Sequence, residues 1–151
     1  MGSGVRGVTV LVRRMRDGDV PVVRALLSQL GYPLDDAEVR RRYEALAVAD
    51  GHDVMVAERE GRVVALCHLY VRPALDKPPE VVVQALVVDQ AARGGGVGKV
   101  LMAAAEAWAE ARGFASVALA SNVVRAEAHA FYEAIGYQRV ATSHLFRKTL
   151  R

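Results

Sequence analysis

The chain has 151 residues, 52% of them hydrophobic and 25% charged, with a formal net charge of +3; one substantial core is the simplest outcome at that length. The charges are interspersed and no apolar run approaches spanning length, which argues against a nucleic-acid interface and against an integral membrane protein. The single cysteine, Cys67, lies in an apolar stretch, so no internal disulfide forms and a buried thiol is expected. The opening residues Met1 to Arg6 lack a hydrophobic leader region, and Arg6 stands where a myristoylation signal has Ser or Thr, so a cytoplasmic protein is expected. Val8 to Met15 is β-branched and predicts a first strand; Asp17-Gly18-Asp19-Val20-Pro21 then supplies capping residues and a proline suited to a helix start. Val22, Val23, Leu26, Leu27 and Leu30 give that helix its apolar stripe, with Gly31 as its stop. A second helix is predicted from Asp35 or Asp36 to about Ala49, with Val39, Tyr43, Leu46 and Ala47 inward and Arg40, Arg41 and Arg42 solvated.

His52 to Arg59 and Arg62 to Val71 read as antiparallel strands joined by the two-residue turn Glu60-Gly61. A loop from Pro73 to Pro79, a strand from Val81 to Val88 and a helix from Val97 to Arg112 follow, the helix carrying Val97, Val100, Leu101, Ala104, Ala105 and Trp108 at helical spacing. Trp108 is therefore a core residue rather than a cofactor stacker. Gly113 ends the helix; Ala115 to Ala120 predicts a strand, Arg125 to Ile135 a helix, and Tyr137 to Ala141 and Leu145 to Leu150 two short closing strands. This order implies one α/β domain spanning 1–151, with a mixed sheet flanked by helices.

Between the Val81 to Val88 strand and the next helix lies Arg93-Gly94-Gly95-Gly96-Val97-Gly98-Lys99. Glycines let backbone amides turn inward, and the first amides of a helix lack internal acceptors and sit at the positive end of its dipole, so a phosphate-bearing ligand is expected here. A Walker A loop fails at Arg93 and Val100, and no register satisfies the dinucleotide pattern G-x-G-x-x-G. The pattern that fits is Arg-x-x-Gly-x-Gly, Arg93 through Gly98.

With that loop, the element order and the ending Ala128-His129-Ala130-Phe131-Tyr132-Glu133-Ala134-Ile135-Gly136-Tyr137, the chain resembles a GNAT-superfamily N-acetyltransferase over essentially its whole length. Gln84-Ala85-Leu86-Val87-Val88 through Ser121-Asn122-Val123 and Arg125 to Tyr132 looks similar to aminoalkylphosphonate and related small-amine acetyltransferases. The resemblance implies a mixed, mainly antiparallel sheet whose central strands splay apart to admit the pantetheine arm of acetyl-CoA, a cosubstrate. By resemblance Leu86, Val87 and Val88 line that arm, Val88 stabilises the thioester oxygen through its backbone, and amides from Arg93 to Lys99 hold the pyrophosphate. Fixed N–H donors stabilise the charge that grows on the carbonyl oxygen better than reorganising water does.

Tyr132 matches the family tyrosine that donates a proton to the departing thiolate, a role open to a phenol of ordinary pKa. Arg125, His129 and Tyr132 recur at i, i+4 and i+7, a stripe that can follow the cofactor. Family members commonly carry Asn where this chain has Arg125; Asn122 is the nearby asparagine, a cofactor hydrogen-bonder or a turn residue, while Arg125 can meet a CoA phosphate.

An attacking amine must be neutral, so a base or ordered water has to take its proton. Phosphonate-type relatives place a glutamate after the matching glutamine, whereas Ala85 follows Gln84 here. Glu80 acting through water, His68 from the adjacent strand, and a water held by Gln84 remain alternatives, each with a purely structural reading beside it. The four histidines show no zinc-ligand spacing, so no metal is expected. The resemblance implies direct transfer to a small primary amine in a ternary complex, with peptide amines as a second acceptor class and a noncatalytic CoA-binding module as a rival. Asp35, Asp36, Tyr43, Ser143 and His144 are candidates for the acceptor cleft. Family members often form homodimers, but the sequence itself specifies no interface.

Overall fold

The computed structural model describes residues 9–151, so Val8, the expected start of the first strand, and residues 1–6 lie outside it. Two compact units divide the chain, one ending at Leu119 and the other Ala120–Arg151.

In the first unit, strand β1 (Val10–Arg14) leads through a 3-10 turn (Asp17–Asp19) into helix α1 (Val20–Leu30), followed by helix α2 (Asp36–Val48). Then come β2 (His52–Arg59), β3 (Arg62–Arg72), β4 (Glu80–Val88), a second 3-10 turn (Gln90–Ala92), helix α3 (Val97–Ala111) and β5 (Val117–Leu119). The strands lie in the order β1-β2-β3-β4-β5. Every neighbouring pair is antiparallel except β4 and β5, which run parallel. The β2–β3 turn has φ of 54° at Glu60 and 75° at Gly61, the left-handed pair that matches strand twist in a two-residue hairpin.

Both faces of the sheet are covered. Val20, Val23 and Leu26 of α1 and Val39 of α2 pack with Met15, Val54, Val56, Leu66 and Val87 on one face. Helix α3 covers the other with Val97, Leu101, Met102, Ala105 and Ala109 fully buried. Burial on two faces explains why β3 and β4 read as nearly continuous apolar runs rather than as alternating ones. The solvated sides differ slightly from expectation: Val100 is exposed on α3 and Ala47 on α2, because each falls just off the inward arc of its helix. Trp108 is half-buried; its indole Nε1–H donates to Asp53 Oδ2 at 3.0 Å and the Arg112 guanidinium stacks on its ring.

An ionic cluster ties the start of α1 to the sheet. Arg13 grips the buried carboxylate of Asp19 with both terminal nitrogens, Nη1 at 2.8 Å and Nη2 at 2.9 Å, and its Nε donates to Glu58. The Arg13 hydrogen bonds hold Asp19 below the usual carboxylate range.

Two bulges shape the sheet. On β3, Val63 faces Glu58 but Ala65 faces Ala57, leaving Val64 as an extra residue; on β4, Val83 faces Leu69 but Ala85 faces His68, leaving Gln84 as the extra one. Strand β5 pairs only with Val81–Val83. Among the described residues no strand pairs with that edge of β4 beyond Val83, and the bulged Gln84 is the next residue along it.

The second unit holds helix α4 (Ala126–Ala134). The two closing strands expected at Tyr137 to Ala141 and Leu145 to Leu150 do not form: residues 137–151 adopt no regular secondary structure. Their β-branched and aromatic residues suit a strand, but a strand exists only where a ladder satisfies its backbone, and Val140, Leu145, Phe146 and Leu150 are all exposed here.

Candidate functional site

The first unit assembles the open edge of β4 and the glycine loop at one end of the sheet. The Asp89 N–H donates to Val64 O at 2.8 Å, so Asp89 turns its backbone toward β3. Backbone direction alternates along an antiparallel strand, so Val88 and Leu86 turn theirs toward the open edge. The Arg93 Nε–H donates to Val88 O at 3.1 Å, folding the arginine over that edge and filling the Val88 acceptor.

The loop itself is braced from α1. Gln29 Nε2–H donates to Asp89 Oδ1 at 2.8 Å, and Gln29 Oε1 accepts from the Gln90 N–H at 3.0 Å, so one side chain holds both sides of the strand-to-turn junction. Gly96 caps α3 with φ of 81°, a left-handed value that a Cβ would penalise. Behind it Val97, Gly98 and Lys99 form the first turn of α3, whose amides have no acceptor within the helix. A Cβ on Gly95 would lie 2.7 Å from Arg59 Nη1, so the bare glycine lets a β2 guanidinium lie against the loop. First-turn amides that lack an acceptor within the helix, with the nearby cations Arg59, Arg93 and Lys99, suit a diphosphate.

At the middle of β4 the bulged Gln84 is exposed, with Ala85 and Leu86 half-buried beside it. Glu80 stands four residues back, at the other end of the strand. One of its carboxylate oxygens pairs with Arg72 and the other accepts from Ser116 Oγ at 2.9 Å. On the face shared with α1 and α2, His68 lies directly across from Ala85 and its Nε2 shares a 3.0 Å hydrogen bond with His52 Nδ1. The rings of His52 and Tyr70 stack, with centroids 5.0 Å apart. Burial, aided by the His52 charge, pushes the His68 pKa down to about 4. The pairing with His52 is the feature that sequence reasoning missed.

Among the residues suggested for an acceptor cleft, Asp35 caps α2 by accepting from the Glu38 N–H at 2.8 Å and Asp36 pairs with Arg24 at 2.7 Å. The Tyr43 hydroxyl donates to Met15 O at 2.8 Å. All three therefore have work within the fold.

In the second unit, Asn122 Oδ1 accepts from the Val124 N–H at 3.0 Å, and His129 Nε2–H donates to Asn122 O at 2.8 Å. Both bonds brace the turn that enters α4, where Arg125 is the exposed N-cap. Tyr132 lies on α4 with its ring edge-on to Phe131 and Tyr137. Ser143 and His144 are exposed in the closing segment. Leu86, Val87, Val88 and Arg93 to Lys99 thus come together within the first unit, and Asn122, Arg125, His129 and Tyr132 within the second.

The acetyltransferase (GNAT) family model matches residues 20–137, and the chain belongs to that family. It is an acyltransferase by that membership. The chain is 30% identical over 124 residues to the uncharacterized N-acetyltransferase YhdJ of Bacillus subtilis (strain 168), covering 82% of this chain and 86% of that protein. A solved aminoglycoside N-acetyltransferase, AAC(6')-Iy in complex with CoA, superposes with a TM-score of 0.85 at 22% identity, over 97% of this chain and 99% of that one. A transcriptional regulator from Bacillus halodurans C-125 superposes at 0.84 with 20% identity, over 93% and 100%. The fold is therefore the GNAT fold, with a mixed, mainly antiparallel sheet and splayed central strands. Among the described residues no helix is long and apolar enough to cross a membrane, and no group of three or more His, Cys, Asp or Glu side chains is placed to hold a metal ion.

Proposed function

We propose that the protein transfers the acetyl group of acetyl-CoA to a small primary amine by direct attack in a ternary complex, with the 151 residues acting as one acyltransferase domain. The observation that carries this reading is the open edge of β4 from Gln84 to Val88, running into first-turn amides of α3 behind Gly96. In this reading the amides from Gly94 to Lys99 and the cation of Arg93 bind the diphosphate. The backbones of Leu86 and Val88 pair with the pantetheine arm, as an added strand would, while Val87 packs beneath them. For Val88 this requires Arg93 to release its carbonyl and swing toward phosphate. The developing oxyanion is stabilised by N–H donors already fixed along the strand.

Tyr132 is assigned the proton donor to the CoA thiolate, and Asn122, Arg125 and His129 the support of the cofactor, on the match to the family ending. Gln84, exposed at the bulge, orients the attacking amine or its water. Glu80 has both oxygens engaged by Arg72 and Ser116, so its part is to fix the entrance of β4 rather than to take a proton.

The test is CoA release from acetyl-CoA against a panel of aminoglycosides, polyamines, aminoalkylphosphonates and amino acids, beside calorimetry with CoA. Aminoglycosides lead the panel because AAC(6')-Iy is an aminoglycoside N-acetyltransferase. CoA binding without turnover of any amine would contradict the reading. With the best acceptor, Tyr132→Phe is expected to lower kcat by roughly ten- to a hundredfold while leaving CoA affinity intact, the mark of a group acting mainly in the transition state.

A further inference from the structure

Ala85 follows the bulged Gln84 and carries no group that could take a proton, and the register of the sheet sets a histidine across from it. His68 on β3 pairs with Ala85, immediately beside the bulge at Gln84 where β4 parts from β5. It also pairs with Val54 on β2, a member of the apolar cluster under α1 and α2, so its side chain shares that face. The imidazole is not isolated. Its Nε2 is 3.0 Å from His52 Nδ1, and the His52 ring stacks on Tyr70 in turn.

We propose that His68 is the general base of this enzyme and that His52 positions it and passes its proton onward. The proposal rests on the acetyl-transfer reading. Ala85 is the cross-strand neighbour of His68, and its methyl group reaches less far over the imidazole than a longer side chain at that position would. The hydrogen bond between the rings permits a tautomer in which His68 Nε2–H donates to His52 Nδ1. His68 Nδ1 then carries a free lone pair, and His52 Nε2–H remains as donor to solvent.

The step balances. The amine lone pair forms the C–N bond, the nitrogen proton goes to His68 Nδ1, and the C–S bond breaks with its electron pair on sulfur. The thiolate is protonated by Tyr132 or water. The proton gained at His68 is relieved through Nε2 to His52 Nδ1, and from His52 Nε2 to water beside the exposed Gly51. Burial favours this direction, because a half-buried imidazolium gives its proton up readily; the low pKa of His68 keeps it neutral near pH 7, as an acceptor must be. Around it, His52 and Tyr70 share its face, while Asp53 of β2 is engaged by Trp108 from α3 and by Arg14. No carboxylate contributes to its shift among the described residues.

The experiment compares wild type, His68→Gln, His68→Ala and His52→Gln with acetyl-CoA and the best acceptor of the amine panel. For His68→Gln, kcat is expected to fall roughly 10²-fold or more with CoA affinity by calorimetry unchanged, the scale of a lost general base. His68→Ala should be rescued by added imidazoles, at rates that rise with the pKa of the added base. For His52→Gln, kcat should fall by a smaller factor with both KM values unchanged. Three results overturn the proposal: His68→Gln within about threefold of wild type, His68→Ala with no response to imidazoles, or a loss of activity matched by an equal loss of CoA affinity. Wild-type protein that transfers acetyl to no amine overturns the acetyl-transfer reading first, and this proposal with it.

Discussion

Cys67 and His68 are adjacent on β3 and face opposite ways, and their environments set opposite expectations. Cys67 is fully buried under α3 and its thiol is pushed up to about 12 by burial. Since the thiolate is the reactive form, folded protein should resist a water-soluble disulfide reagent at pH 8 and release one equivalent of thiol only after denaturation. Prompt reaction of the native protein would show that β3 opens readily. His68 bears on acid stability. Its imidazole titrates at about 4 when folded against an ordinary 6.5, so between those values the unfolded chain binds more protons. Stability therefore rises with pH across that window and falls on acidification. The urea midpoint should drop between pH 7 and pH 4.5, and by less in His68→Gln, which has nothing to protonate there.

Helix ends carry the element-scale arguments. Asp35 was a candidate for holding a cationic acceptor, yet its side chain accepts from the Glu38 N–H and caps α2. Asp35→Ala should cost about 1 kcal/mol in denaturant unfolding, the usual value of an N-cap, and leave kcat unchanged. A large loss of kcat with little loss of stability would return Asp35 to the acceptor site. Gly96 caps α3 in the left-handed region. Gly96→Ala should destabilise the fold by about 1 kcal/mol and weaken CoA binding as well, because the strain falls on the amides proposed to hold the diphosphate. Equal CoA affinity in this variant would remove the α3 terminus from the binding site.

For the molecule as a whole, a ligand that binds the native state alone stabilises it by mass action. CoA at a hundred times its dissociation constant should add about 2.7 kcal/mol, seen as a raised Tm, with dephospho-CoA and free pantetheine as graded controls. Pantetheine as effective as CoA would mean that the loop does not grip phosphate.

Much of the fold can be read directly from the residues. Gly31 and Gly113 mark helix ends, Glu60-Gly61 sets a hairpin, and the apolar spacing of α1 and α3 tells which sides face the sheet. These are local signals, each contained within one turn or one helical face. The glycine turn within Arg93 to Gly98 was legible for the same reason, since left-handed Gly94 and Gly96 are set by consecutive residues. The closing strands were not, because strand propensity in 137–151 says nothing about whether a neighbour is there to pair.

The histidine pair marks the boundary most sharply. Counting back from the Glu60-Gly61 turn without interruption sets His68 against Asp53 and puts His52 on the opposite face. The extra residue Val64 shifts the register by one, so that His68 meets Val54 and both histidines share a face. A second extra residue, Gln84, then aligns Ala85 with His68 where β4 leaves β5. The sequence by itself determined the helices, the hairpin and the glycine turn that opens α3, since short-range sterics and periodicity suffice for them. Only the tertiary structure decided which side chains meet across the strands, because a bulge of a single residue reverses every face beyond it.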